Sequence, residues 1–174
     1  MTKVDIEKTP KDPVFKALVK LLIKLVSVLI AIGFVFGFIF GLHRVDDTYM
    51  VPNISPGDMI LYYRLDKDFV VGDTVVYSYQ GENKIARVVA MANDEVDINE
   101  KGLVVNGSVQ YEPKIYKETL AFTDGIIFPV KLKEDEFFLL ADNRDKAIDS
   151  RLFGPVEKKL IKGKIFTLLR RRGI

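Results

Sequence analysis

The chain has no cysteine and a single histidine, His43, in 174 residues. The first absence excludes a disulfide framework, a thiolate nucleophile and a cysteine-ligated zinc site; the second excludes a multi-histidine metal centre. A strong excess of one charge is missing too. The 26 Lys and Arg stand against 24 Asp and Glu, a net charge of +2. That is too little to mark a nucleic-acid surface, and no interleaving of basic and aromatic residues suggests one. No metal, cofactor or nucleic acid is therefore expected. Beyond Arg44 no stretch sustains the 3.6-residue apolar period of an amphipathic helix.

Hydrophobic residues make up 48% of the chain although 29% is charged, which suggests a soluble body joined to one apolar segment. Residues 25–42, LVSVLIAIGFVFGFIFGL, carry no charge. As a helix they reach roughly 27 Å, close to the hydrocarbon thickness of a bilayer. Gly33, Gly37 and Gly41 repeat every fourth residue, a stripe that would let a second helix approach closely. Lys3, Lys8, Lys11, Lys16, Lys20 and Lys24 precede the run, and only His43 and Arg44 follow at once. The positive-inside rule then puts the N-terminus in the cytoplasm and the body outside the cell membrane. Lys16, Lys20 and Lys24 share one helix face, suited to anionic headgroups. Leu42-His43-Arg44 is no small-residue cleavage site, so an uncleaved single-pass anchor is expected. The chain is thus read as a basic cytoplasmic N-terminus over 1–24, a transmembrane anchor over 25–42 and an extracellular domain over 43–174. His43 is assigned to the headgroup layer.

The body reads as short β-rich runs punctuated by Gly, Asn, Asp and Pro. Strands are predicted over 59–63, 73–79, 84–90, 95–98, 103–105, 137–140 and 164–169. Hairpin turns fall at 80–83, at 99–102 and at the dipeptide Asn106-Gly107. Residues 110–129 are the least regular and are read as an excursion from the main sheet. Arg170-Arg171-Arg172 is read as a solvated charge run. The expected fold class is mainly β, a folded antiparallel sheet or barrel behind one N-terminal transmembrane helix.

Four runs stand in order behind the apolar segment. They are 49–58 (YMVPNISPGD), 72–77 (GDTVVY), 85–90 (IARVVA) and 141–156 (ADNRDKAIDSRLFGPV). Together they resemble the successive signature boxes of the type I signal peptidases, whose patterns read S-M-x-P-T-L-x-x-G-D, G-D-[IV]-V-V-F, I-K-R-V-[VI]-G and GDNR-x-x-S-x-DSR-x-x-G-P-V. The resemblance covers nearly the whole chain. It implies a membrane-anchored β domain with a peptide-binding groove, here lined by Tyr49, Met50, Pro52, Lys84, Ile85, Ala86 and Val88. It also implies that Asp58, Asp73, Arg87, Asp142, Asn143, Arg144, Asp149, Ser150 and Arg151 brace turns and pair with one another.

The departures fall on the chemistry. The family's nucleophilic Ser corresponds to Tyr49, its Lys base to Ala86, and the Ser that supports the Lys to Ala147. The position beside the oxyanion hole is Asp47. A serine hydroxyl needs a base whose pKa desolvation has lowered, and Ala86 accepts no proton. Tyr49 carries its oxygen too far out to stand in for a Ser Oγ, and an ionised Asp47 would oppose a developing oxyanion. Two substitute dyads remain conceivable from the residues, Ser55 with Lys84 and Asp46 with Asp47. The resemblance and the substitutions together imply a noncatalytic pseudoenzyme like the dyad-lacking proteins of Gram-positive pilus clusters. Its partners would be the bilayer, an exported polypeptide such as a pilin, and a sortase. The alternatives are a signal peptidase I-type endopeptidase working by an altered mechanism, and a membrane scaffold paired through the glycine stripe.

Overall fold

The computed structural model describes residues 13–113 and 115–170. The chain falls into two units, Met1–Phe38 and Ile39–Ile174. The first contains helix α1, Pro13–Phe34, which runs on through a π-helical turn at Val35–Ile39. Proline suits a first helical position because its missing N–H has no partner to lose there. The combined helix Pro13–Ile39 has 27 residues and a hydropathy of 2.6, long and apolar enough to cross a membrane. It starts ahead of the charge-free run because Lys16, Lys20 and Lys24 alternate with Leu and Val, all compatible with a helix. The lysines at 3, 8 and 11 lie outside the described residues.

The other end of the anchor needs correction. Residues 40–42, read as the close of the membrane span, belong instead to strand β1, Phe40–Arg44. Apolar content alone does not separate a helix end from a strand; pairing with β2, Met59–Tyr63, decides it, with Gly41 opposite Tyr62 and His43 opposite Ile60. Gly41 is therefore no part of a helix stripe. A Cβ there would fall 2.1 Å from the Tyr62 ring, so this glycine exists to let Tyr62 lie against β1. His43 moves with it into the sheet.

The second unit holds two antiparallel sheets. The larger joins β1 and β2 to β3 (Thr74–Tyr79), β4 (Glu82–Ala90), β9 (Glu136–Leu140), β10 (Val156–Glu157) and β11 (Ile161–Leu169), in the order β1-β2-β11-β3-β4-β9-β10. The smaller contains β5 (Glu95–Asn99), β6 (Gly102–Val105), β7 (Ser108–Val109) and β8 (Val130–Lys131), in the order β7-β6-β5-β8. The β3–β4 turn, Gln80-Gly81, and the β6–β7 turn, Asn106-Gly107, have both residues at positive φ, the backbone that suits a two-residue hairpin. A short helix α2, Ser150–Phe153, is capped by the Asp149 carboxylate on the Arg151 N–H.

The predicted framework residues do brace this unit. Arg87 grips Asp142 through two nitrogens at 2.9 and 2.7 Å, and Asn53 reaches the same carboxylate at 2.7 Å. The Asp58 carboxylate accepts the Ser55 N–H, and that of Asp73 accepts the Val70 N–H, each at 3.0 Å. The Ser150 hydroxyl oxygen accepts the Leu139 N–H. Arg151 is bidentate to Asp149, with both side chains buried. It also donates to the Leu120 carbonyl and lies over the Phe122 ring. Arg144 differs from expectation: its partners, Glu112 and Thr119, sit in the 110–129 excursion. Two arginines of the last box thus pin the irregular segment to the sheet. Arg170 is tied as well, donating to the Asn53 carbonyl at 3.0 Å beside Asp58; the next two arginines lie outside the described residues.

Candidate functional site

Strand β4 is paired unevenly. Along one side it meets β3 from Glu82, opposite Tyr79, to Arg87, opposite Thr74. On the other side β9 joins only from Arg87, opposite Leu140, to Ala90, opposite Phe138. Residues 82–86 therefore have no strand on that edge among the described residues. The reason is local. Past Leu140 the chain turns away: the Ala141 N–H goes to Asp149 at 3.1 Å, and Asp142 is held by Arg87. Asn143 donates its backbone N–H to the Tyr49 carbonyl at 2.8 Å and its side-chain amide to the Thr48 carbonyl at 3.0 Å. The last box thus holds the Tyr49 loop in place and leaves a notch in the sheet.

Asp47, Tyr49 and Lys84 meet beside this notch. One Asp47 oxygen, Oδ1, accepts the Tyr49 backbone N–H at 3.0 Å, while Oδ2 lies 4.0 Å from the Lys84 ammonium. The closer partner of Lys84 is Glu82 at 2.9 Å, and its nitrogen stands 5.7 Å from the centre of the Tyr49 ring. The hydrogen bond to Glu82 raises the Lys84 pKa above its ordinary value, outweighing burial. A lysine base needs the opposite shift, so Lys84 stays an ammonium at neutral pH. Ser55 sits in the turn closed by Asp58, and the ammonium finds carboxylates and a ring, not that hydroxyl. The Asp46–Asp47 alternative fares no better, since Asp47 Oδ1 is engaged by the Tyr49 N–H and Oδ2 faces Lys84, not Asp46.

The side chains expected to line the groove divide by burial. Met50, Ile85, Ala86 and Val88 are buried, whereas Tyr49 and Lys84 are half-exposed and Pro52 is exposed. Met50 and Ile85 pack with Val45, Ile54, Ile60, Tyr62, Val76, Ala141 and Ala147, against which Tyr49 leans. Ala86 and Val88 belong to a second cluster with Val75, Tyr77 and Leu139. The buried four face the core, a correction to the expectation that they offer side chains to a ligand. What β4 presents is its backbone edge.

Two residues of the site escaped sequence reasoning. Tyr77 lies opposite Lys84 in the sheet and is buried. Burial pushes its hydroxyl well above the ordinary phenol value, and Asp149, Asp47, Tyr79 and Tyr49 add to the shift. It backs the position of Ala86 with an inert aromatic. His43, on β1, is half-buried within the fields of Asp46, Asp47, Lys84 and Lys162. Burial holds its imidazole below the ordinary value, against the pull of the two aspartates. The alternation of β1, had it been recognised, would have placed His43 on the sheet.

Comparison with known proteins assigns the class. The signal peptidase family, peptidase S26, matches residues 18–169. The chain belongs to that family. It is 29% identical over 131 residues to signal peptidase I of Bacillus licheniformis, covering 68% of this chain and 70% of that one. It is 30% identical over 130 residues to signal peptidase I of Bacillus amyloliquefaciens, with the same coverage. The crystal structure of a signal peptidase I from Enterococcus faecalis V583 is similar with a TM-score of 0.48 and 20% identity, over 57% of this chain and 97% of that one.

Proposed function

We propose that this chain is a membrane-anchored, noncatalytic member of the signal peptidase family that holds an exported polypeptide along the open edge of β4. The single observation that carries the reading is the pairing of a strand edge open over residues 82–86 with a neighbouring cluster unsuited to acyl transfer. Backbone pairing on a strand edge requires neither a nucleophile nor a base. At the same place Tyr49 and Ala86 occupy the positions of the family's dyad, Ala147 is buried among apolar side chains, and Lys84 remains protonated. In this reading the N-terminus is cytoplasmic, the β domain is extracellular, and the held polypeptide is a pilin presented to a sortase during pilus polymerisation.

The test is a photocrosslinker in place of Asn83 or Lys84 in the full-length protein in its membrane. Capture of an exported polypeptide from these positions, and not from exposed Lys159, is the expected result. Capture from Lys159 alone would overturn the proposal. Family membership favours a second reading, signal-peptide cleavage by an altered mechanism. Specific cleavage of a preprotein by the detergent-purified protein, abolished by Lys84→Ala or Asp47→Ala, would establish it.

A further inference from the structure

The notch carries charge of a definite kind. On the wall beside β4, Asp47 Oδ1 is committed to the Tyr49 N–H, but among the described residues Oδ2 has only the Lys84 ammonium, at 4.0 Å. That distance exceeds a charge-assisted hydrogen bond, which closes to about 2.7–2.9 Å. Lys84 does not come nearer because Glu82 already holds it at 2.9 Å. The Asp47 side chain is only 22% exposed, yet Oδ2 is not a buried atom and stays open to an incoming donor. Asp46 is exposed next to it, and no basic nitrogen lies within 4.0 Å of Asp46 among the described residues. Against the three carboxylates of Asp46, Asp47 and Glu82 stand two ammonium groups, Lys84 and Lys162. The latter is engaged with the Asn83 side chain. Burial disfavours the charged form of His43.

An added strand lies about 4.8 Å from β4, with alternate side chains on the face that Lys84 and Ala86 share. A long basic side chain on that face reaches as far as the Lys84 ammonium itself reaches. Ala86 on that face is buried in the core, so the open part of the face is the stretch around Lys84. A carboxylate in the same place would meet Asp47 and Asp46 at close range, which is repulsive.

We infer that the segment held on β4 carries a lysine or arginine, which completes the hydrogen bonding of Asp47 Oδ2. The inference rests on the proposed strand addition and names the side chain selected by it. Asp47 thereby acquires a recognition role. The same carboxylate that fixes the Tyr49 loop through Oδ1 selects the partner through Oδ2.

The experiment uses the full chain in detergent and three short, end-blocked Thr/Val peptides that differ only in a central lysine, alanine or glutamate. Dissociation constants are read by fluorescence anisotropy. The lysine peptide is expected to bind about fivefold tighter than the alanine peptide, as for a half-buried ion pair. The glutamate peptide should be the weakest, and Asp47→Asn should bring the lysine-to-alanine ratio to about one. N-methylation along one edge of the alanine peptide should remove its binding, which identifies backbone pairing. Equal binding of all three peptides, or tightest binding of glutamate, would overturn the charge selection while leaving strand addition standing. Binding of none, or binding indifferent to N-methylation, would overturn both.

Discussion

The Asp47 carboxylate and the Tyr49 backbone N–H are hydrogen-bonded at 3.0 Å. A peptidase site needs backbone N–H groups aimed at an oxyanion that develops in the transition state. Under the proposed reading Tyr49 stands at the nucleophile position, and its N–H already serves the Asp47 carboxylate.

Restoring the dyad should therefore be insufficient. Tyr49→Ser with Ala86→Lys is expected to leave preprotein cleavage at least about 100-fold below the triple variant that also carries Asp47→Ser, because one oxyanion donor is worth about that much. Single-turnover cleavage of a labelled preprotein measures the difference. Equal activity of the double and triple variants would show that the Asp47–Tyr49 contact does not block the site.

Gly41 should behave unlike Gly33 and Gly37. Gly41→Ala drives a Cβ into the Tyr62 ring, an overpacking cost of about 1–3 kcal/mol. A Cβ at Gly33 or Gly37 meets nothing within 4 Å, and alanine there should cost no stability. Thermal unfolding of the three single variants in detergent separates the cases. Loss of a membrane complex with Gly33→Leu and Gly37→Leu, at unchanged stability, would favour the scaffold reading.

The Arg151–Asp149 pair is buried on both sides. Arg151→Met strands the Asp149 carboxylate in the core, a loss of about 3–5 kcal/mol. It also removes the bond to the Leu120 carbonyl, so limited proteolysis should cut faster within residues 110–129. A variant with wild-type stability and cleavage rate would refute this account of how the excursion is held.

The pH response of stability should trace to His43. Its folded pKa lies below the ordinary 6.5 because burial disfavours the imidazolium. Just below pH 6.5 the unfolded chain thus binds more protons than the folded one. Stability fully present above that value is lost as pH falls toward the folded pKa. Melting temperatures at about pH 7.5 and about pH 5 should differ less in His43→Gln than in the parent protein, since the glutamine does not titrate. An identical drop in both would assign the effect elsewhere.

Much of the β domain was legible. The runs at 59–63, 95–98 and 137–140 coincide with β2, β5 and β9 within a residue, because alternation and turn residues report directly on half-buried strands. The bracing by the framework carboxylates and arginines was legible from the signature boxes. The passage from helix to strand at Ile39 and Phe40 was not, since both sides are apolar and only the distant partner Tyr62 distinguishes them. Arg144 was misread for a similar reason: its partners lie more than twenty residues away, in a segment without periodicity. The burial of Met50 and Ile85 depends on how β4 faces the Tyr49 loop, which no local pattern encodes.

The half-paired β4 also carries a hazard. Exposed N–H and C=O groups on a strand edge are a template for another copy of the same edge, and proteins commonly blunt such edges with charge. Glu82 and Lys84 stand on the unpaired stretch, one largely exposed and the other an ammonium held in place. They act as gatekeepers that keep the strand from joining its own kind, so that a site open enough to receive a foreign polypeptide does not become a seed for aggregation.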